Sequence, residues 1–221
     1  PLSSGPIRSV CVPTTLFSPP GSPSLPALLV VGQNPGVQED EANEPFVGPT
    51  GQLLRTAYLK GLPFTDHATI YLANAVRCHT QGNAKPLTSH ISACRPYLLA
   101  DINHLLASHP SLFILCLGAV ALDSIHTLPT LVPHQPSTKL PRQLRTAFNE
   151  QPFTLTHPDH PPIYILATYH PAAVLRDGSL RRAVHDHMQI LYDTLTLASE
   201  PPPSSEPTIV PPSYPPKGDD P

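Results

Sequence analysis

Four short apolar runs, separated by stretches of helical periodicity, predict an α/β protein of three layers, α/β/α, built on a central, mostly parallel four-stranded sheet. The runs are residues 28–31, 70–73, 112–117 and 163–167. None alternates polar with apolar residues, as a strand wetted on one face would, so each reads as a strand covered on both sides. A second observation is that turn formers and polar groups stand directly after the runs: Gln33 and Asn34, Asn74, Gly118, and His170. Open parallel sheets bind ligands outside the carboxyl ends of their strands, which makes these positions the first candidates for a site.

The first strand leaves through Gly32-Gln33-Asn34-Pro35-Gly36, whose glycines and proline force a sharp exit. Residues 51–62 read as a helix, with Leu53, Leu54, Ala57, Tyr58 and Leu62 at three- and four-residue spacings. The second strand, 70–76, ends near Asn74, and a loop over 79–86 follows. Residues 88–106 carry the apolar face of an amphipathic helix in Ile91, Cys94, Leu98, Ile102, Leu105 and Leu106. Pro96 in its middle should kink or divide it. The third strand, 112–118, precedes a short helix. Residues 127–162, rich in Pro, Thr and Gln, show no pattern that divides them. The fourth strand, 163–169, delivers His170-Pro171, and 180–197 closes the domain as a helix.

Three regions follow. Residues 1–26 form a Pro/Ser-rich N-terminal arm, with one apolar patch at 7–16 that could pack on the domain; 27–198 form the domain; 199–221 form a Pro-rich disordered tail. A chain of 221 residues fits one domain whose core needs neither disulfide nor metal. With a net charge of −3 and only 13% charged residues, there is no global basic field, so any nucleic-acid contact is local. The cysteines at 11, 78, 94 and 116 lack the dense spacing of a secreted scaffold and favour a reducing, intracellular compartment. No run is long enough to span a bilayer, and the N-terminal residues show no charged segment followed by an apolar core. A first residue of Pro rather than Met leaves room for an upstream segment such as a mitochondrial targeting peptide, and nothing separates nucleus from cytoplasm. His157, His160, His185 and His187 have no complementary ligand set and read as solvent-facing.

Three motifs, in order, resemble the uracil-DNA glycosylase superfamily, most closely its iron–sulfur branch, often called family 4. They are Gly32-Gln33-Asn34-Pro35-Gly36 with Glu39-Asp40 and Pro45-Phe46-Val47-Gly48; Asn74-Ala75-Val76-Arg77-Cys78; and His170-Pro171-Ala172-Ala173-Val174-Leu175-Arg176. The similarity covers roughly residues 28–195, a domain-sized region. It implies a monomeric, monofunctional glycosylase that flips uracil out of DNA and hydrolyses its N-glycosidic bond, leaving an abasic site.

The resemblance also implies roles. Phe46 would stack on the flipped base, and Asn74 would read its amide-like edge, a carboxamide offering one donor face and one acceptor face. Gln33 would line the same pocket. His170 would donate to the uracil O2 as negative charge develops on the leaving base. Pro171, Ala172, Val174, Leu175 and Arg176 would meet the duplex, with Val174 and Leu175 as an apolar wedge and Arg176 on phosphate. The nearest branch carries Gly-Glu-(Ala or Gly)-Pro-Gly, whereas here Asn34 resembles the mismatch-specific and single-strand-selective branches, in which this Asn positions the water. Asn is no base at pH 7, which leaves water placement to Asn34 with Glu39 or Asp40 as a nearby carboxylate.

No cofactor is required for catalysis. A 4Fe-4S cluster is implied by the branch, and Cys78, Cys94 and Cys11 match three of its ligands, but Arg8 and Thr14 stand where Cys11 would need its Cys-x-x-Cys partner. Cys116 falls inside a strand. The loop at 79–86 lacks the Arg-Arg-Ile-His pattern of the branch that cross-links to DNA. From another class, the same motifs admit a glycosylase-like module that binds DNA or protein without turnover. The tail from Pro201 to Pro216 could serve a protein partner as a polyproline II ligand, although such segments are more often linkers.

Overall fold

A computed structural model of the chain describes residues 11–17, 24–128, 148, 152–157 and 160–199. Within them, β1 (Thr15–Leu16), β2 (Ala27–Gly32), β3 (Thr69–Asn74), β4 (Leu112–Leu117), β5 (Phe153–His157) and β6 (His160–Thr168) form one 6-stranded sheet in the order β1-β3-β2-β4-β6-β5. The four expected strands are its centre and run parallel: β2 pairs with β3 and β4, and β4 with β6. Two antiparallel edges extend the sheet. β1 pairs with β3, and β5 pairs with β6 through an irregularity between Leu155 and His157.

Alternation along the strands explains the two cores. In β2, Ala27, Leu29 and Val31 face one side and Leu28 and Val30 the other; in β4, Leu112, Ile114 and Cys116 part from Phe113, Leu115 and Leu117 in the same way. On the first face lie α3 (Thr88–Ser108) and α4 (Ala119–His126), contributing Leu98, Ile102 and Ile125. On the second lie α2 (Pro49–Leu53), its π-helical continuation Leu54–Leu59, and α6 (Arg181–Ser199), contributing Leu54, Tyr58, Val184 and Leu191. Each such side chain, fully buried, contributes about 1.5–3 kcal/mol.

The helix α3 is not divided at Pro96. Proline removes the hydrogen bond to the Ser92 carbonyl, but both residues lie on the exposed side, where water satisfies that carbonyl. His187 corrects a further expectation. It is buried, its Nδ1 3.1 Å from the Thr168 hydroxyl, and its ring packs 4.3 Å from that of Phe148, while His185 is exposed. Residues 127–162 contribute β5 and the start of β6, and most of the rest of this stretch lies outside the described residues, as do residues 1–10 and the tail from 200.

The arm joins the fold from residue 11 onward. The Val12 N–H donates to the Arg77 carbonyl at 2.9 Å, and the Thr14 hydroxyl donates to Asp101 Oδ2 at 2.7 Å. The same carboxylate oxygen accepts from the buried guanidinium of Arg77. Asp101 therefore holds the edge of the sheet to α3 through two donors. Asp101→Ala should destabilise the protein by about 3 kcal/mol in chemical denaturation, because it strands a buried cation, with Asp101→Asn losing less; a loss of only a few tenths of a kcal/mol would show that the pair does not anchor this edge.

Candidate active site

The chain runs from β2 to β3 on one side, then crosses back to β4 on the other, so the sheet switches direction at β2. A cavity of about 430 Å3 opens at that point, beyond the carboxyl ends of β2, β3 and β6. Its lining includes Gln33, Asn34, Glu39, Phe46, Asn74 and His170. The volume falls in the usual range for small-molecule pockets, roughly 300–1,000 Å3.

Gly32 pairs with Asn74 in the sheet, and the missing side chain is what the pocket needs. A Cβ on Gly32 would stand 2.5 Å from Asn74 Oδ1 and 2.6 Å from Phe46 Cζ. Phe46 therefore lies across the bare backbone of β2, beside the Asn74 carboxamide. Asn74 is only 4% exposed, and its side chain makes no hydrogen bond among the described residues. The carboxamide lines the cavity, where an entering group can meet both its donor and its acceptor end.

Asn34 is fixed by its neighbours. Its Nδ2 group points at the Pro35 carbonyl (3.0 Å), Thr80 Oγ1 (3.2 Å) and Asn83 Oδ1 (3.3 Å). The Thr80 hydroxyl proton is already given to the Ala84 carbonyl at 2.6 Å, so Thr80 accepts from Asn34. That sets the amide orientation and leaves Oδ1, which accepts from Gln33 Nε2 at 3.0 Å, one further lone pair for a second donor. His79 Nδ1 adds a contact to the Pro35 carbonyl at 3.0 Å. His79, Thr80 and Asn83 thus belong to the site, although the sequence showed only a polar loop.

The Glu39 carboxylate, on α1 (Val37–Ala42), accepts the Gly36 N–H at 3.1 Å on Oε2 and the Gly48 N–H at 2.7 Å on Oε1. Both oxygens are thereby committed to tying two loops together. Asp40 does not line the cavity.

His170 caps α5 (Pro171–Arg176). Its Nδ1 accepts the Ala172 N–H at 3.2 Å, which leaves the proton of the neutral ring on Nε2 as a donor. Burial, followed by repulsion from Arg176, brings its pKa down to about 4, so the ring is neutral at pH 7. Two contacts seat the loop: the Tyr58 hydroxyl donates to the Tyr169 carbonyl at 3.1 Å, and a Cβ on Gly118 would come within 3.3 Å of His170 Cβ.

The α5 segment corrects part of the expected DNA surface. Val174 is 3% exposed and sits in the second core, and Pro171 is also buried, so neither can wedge into a duplex. Leu175 is 54% exposed, and Arg176, exposed, lines the cavity together with the half-buried Ala172.

Comparison with known proteins bears on this arrangement directly. The profile of the Uracil DNA glycosylase superfamily matches residues 19–195. The chain belongs to this superfamily. Its relatives include the Type-4 uracil-DNA glycosylase of Pyrobaculum aerophilum, 31% identical over 155 residues, covering 70% of this chain and 70% of the relative. That of Archaeoglobus fulgidus is 31% identical over 70% of this chain and 69% of the relative, and that of Thermotoga maritima 37% identical over 43% and 47%.

For a superfamily member with Type-4 relatives, the cysteines need their own test. Cys11 Sγ lies 3.0 Å from Cys78 Sγ, and Cys94 Sγ accepts the Arg77 N–H at 3.4 Å. The fourth thiolate is missing: Thr14 occupies one offset with its hydroxyl committed to Asp101, and Cys116 is buried within β4. Among the described residues no group of three or more His, Cys, Asp or Glu side chains is arranged to hold a metal ion. The residues present do not fit a four-thiolate cluster.

The state of His170 gives a pH test. A histidine with a lowered folded pKa binds its proton less readily than the unfolded chain does, so stability and the neutral donor are both retained above the unfolded value of 6.5 and lost as pH falls toward the folded value of about 4. Single-turnover uracil release should stay flat from about pH 8 to 6 and decline on an acid limb well below 6.5; a midpoint at the ordinary histidine value would contradict the buried, neutral ring.

Proposed function

We propose that the cavity binds a uracil flipped out of DNA and that the chain hydrolyses the N-glycosidic bond as a monofunctional uracil-DNA glycosylase. The observation that carries the reading is the convergence of an unpartnered Asn74 carboxamide, the Phe46 ring and a neutral His170 donor in one cavity at the switch point of the sheet. Superfamily membership and the named activity of the relatives support it.

Chemistry follows from the groups present. Uracil stacks on Phe46, while Asn74 accepts from N3–H and donates to O4. Cytosine offers the opposite pattern at these atoms and pairs with Asn74 only if the carboxamide flips. As the C1′–N1 bond breaks, its electron pair passes to the base and spreads onto O2, where the Nε2–H of His170 meets it. A cationic imidazole is not needed, since a preorganised neutral donor stabilises that charge without first giving up a proton. Water held by Asn34 Oδ1 adds to C1′ of the oxocarbenium-like sugar and releases its proton to solvent. Because a carboxamide cannot take that proton, catalysis rests on leaving-group stabilisation and placement. Glu39 acts as a positioning residue here, clamping the loops that carry Asn34 and Phe46.

Leu175 is the residue on α5 with the exposure to fill the space the base vacates, and Arg176 the one to meet phosphate. No helix among the described residues is long and apolar enough to cross a membrane. Catalysis requires no cofactor, and Cys11, Cys78 and Cys94 are read as the remaining part of an incomplete cluster site.

Two assays test this. On a uracil-containing oligonucleotide, His170→Ala should lower the single-turnover rate by about 10²–10³-fold, the loss expected for one charge-stabilising donor. Asn34→Ala should lower it by about 10²-fold through misplaced water. Both variants cleaving at the wild-type rate would reject the site, and wild-type protein that binds uracil DNA without releasing base would make the chain a binding module. Separately, iron quantitation on aerobically and anaerobically purified protein should give far less than one full cluster per chain; stoichiometric iron with visible sulfur-to-iron absorption would overturn the incomplete-site reading.

A further inference from the structure

Phe46 does its work from an unfavourable backbone. Its φ is +59°, in the left-handed region that bulky L residues avoid. Asn43, three residues earlier, shares that region at +55°, but asparagine tolerates it. Nothing intrinsic to phenylalanine does, so the conformation must be imposed from outside.

Two neighbours impose it. Gly51 lies flat against the Phe46 backbone, where a Cβ would sit 1.9 Å from the Phe46 carbonyl oxygen. Arg55, in the π-helical segment behind α2, reaches back over the turn: its Nε donates to the Phe46 carbonyl at 3.0 Å, and its Nη2 to the Pro45 carbonyl at 3.3 Å and to Glu44 Oε1 at 2.9 Å. A planar guanidinium can span two successive carbonyls in this way, whereas an ammonium offers a single point of donors. The guanidinium carbon also stands 5.2 Å from the centre of the Phe17 ring, and the Phe17 N–H donates to the Ile70 carbonyl at 2.8 Å, so the strap is backed by the sheet edge.

We propose that Arg55 is a positioning residue for base recognition: by gripping the Pro45 and Phe46 carbonyls it holds Phe46 in the left-handed conformation that lays its ring across Gly32 beside Asn74. Arg55 does not line the cavity and acts only through Phe46. The ion pair with Glu44 is half exposed and contributes little, so the carbonyl contacts carry the effect. If the strap is released, the φ of Phe46 relaxes to an ordinary value and the ring swings off Gly32, removing the stacking surface. This inference rests on the reading that Phe46 stacks on uracil.

A double-mutant cycle tests it. Arg55→Ala should lower kcat/KM for uracil release about tenfold, and Phe46→Ala should lower it further. The double variant should be no worse than Phe46→Ala alone, because Arg55 has nothing left to position. Arg55→Lys should recover only part of the loss, and Glu44→Gln should stay within about twofold of wild type. Multiplying losses in the double variant, or an Arg55→Ala protein as active as wild type, would overturn the proposal. Should Arg55→Ala not fold, Arg55→Gln carries the same cycle. An arm independent of activity follows the ring itself: with 13C-labelled phenylalanine, the Phe46 signals should move in Arg55→Ala and not in Glu44→Gln, and unmoved signals would refute the strap. Phe46→Ala as active as wild type would instead reject the stacking reading, leaving the NMR result to decide the strap on its own.

Discussion

The pocket is organised around a close approach that only one residue type permits, the contact of Phe46 and Asn74 over Gly32 at the end of the central strand. The sheet register sets Gly32 beside Asn74, and the absent Cβ lets an aromatic ring lie on the backbone while the carboxamide stays at its edge. A stacking surface beside a hydrogen-bonding edge is what a planar heterocycle with an amide-like face requires. The remaining parts of the site hold those two groups still or bring the reacting groups to them. Gly51 and Arg55 hold the Phe46 turn, Glu39 ties that turn to the strand exit, and the parallel pairing of β4 with β6 carries His170 across the sheet to the opposite wall.

The electrostatics are those of a site that stabilises charge without carrying much. His170 is neutral because burial and then repulsion from Arg176 disfavour its cation, and its tautomer is chosen by one backbone N–H. Asn34 is neutral by nature, and its direction is chosen by a threonine whose own proton is committed elsewhere. The Glu39 carboxylate, also lining the cavity, is occupied by two backbone donors. Such a site favours a reaction whose bond breaking runs ahead of attack, since the leaving base is stabilised by preorganised donors and the water needs only to be in place when the sugar becomes electron-poor. Gln33 and Asn34 stand where the nearest branch carries Glu and then Ala or Gly, and both line the cavity beside Phe46 and Asn74.

Much of this was legible in the sequence because it rests on local chemistry. Unbroken apolar runs located β2, β3, β4 and β6, and turn formers after them located Asn34, Asn74 and His170. The edge strands escaped because their stability is not local: β1 has two residues, and β5 belongs to a stretch without apolar periodicity. Pro96 misled because its cost depends on whether the freed carbonyl meets water, which only the burial pattern reveals. Val174 misled for the mirror reason, since within a wedge-like loop the sequence does not show which of two adjacent apolar residues turns inward. Thr80, Asn83 and Arg55 were invisible because each acts through a residue far away in the chain, and a polar residue in a loop carries no mark of its partner.

The most direct measurement is a crystal structure of the protein with free uracil. The base should lie on the Phe46 ring with N3–H and O4 on the Asn74 carboxamide and O2 within hydrogen-bond reach of His170 Nε2. Uracil found outside this cavity, or seated with O2 turned away from His170, would contradict the assignment of the site.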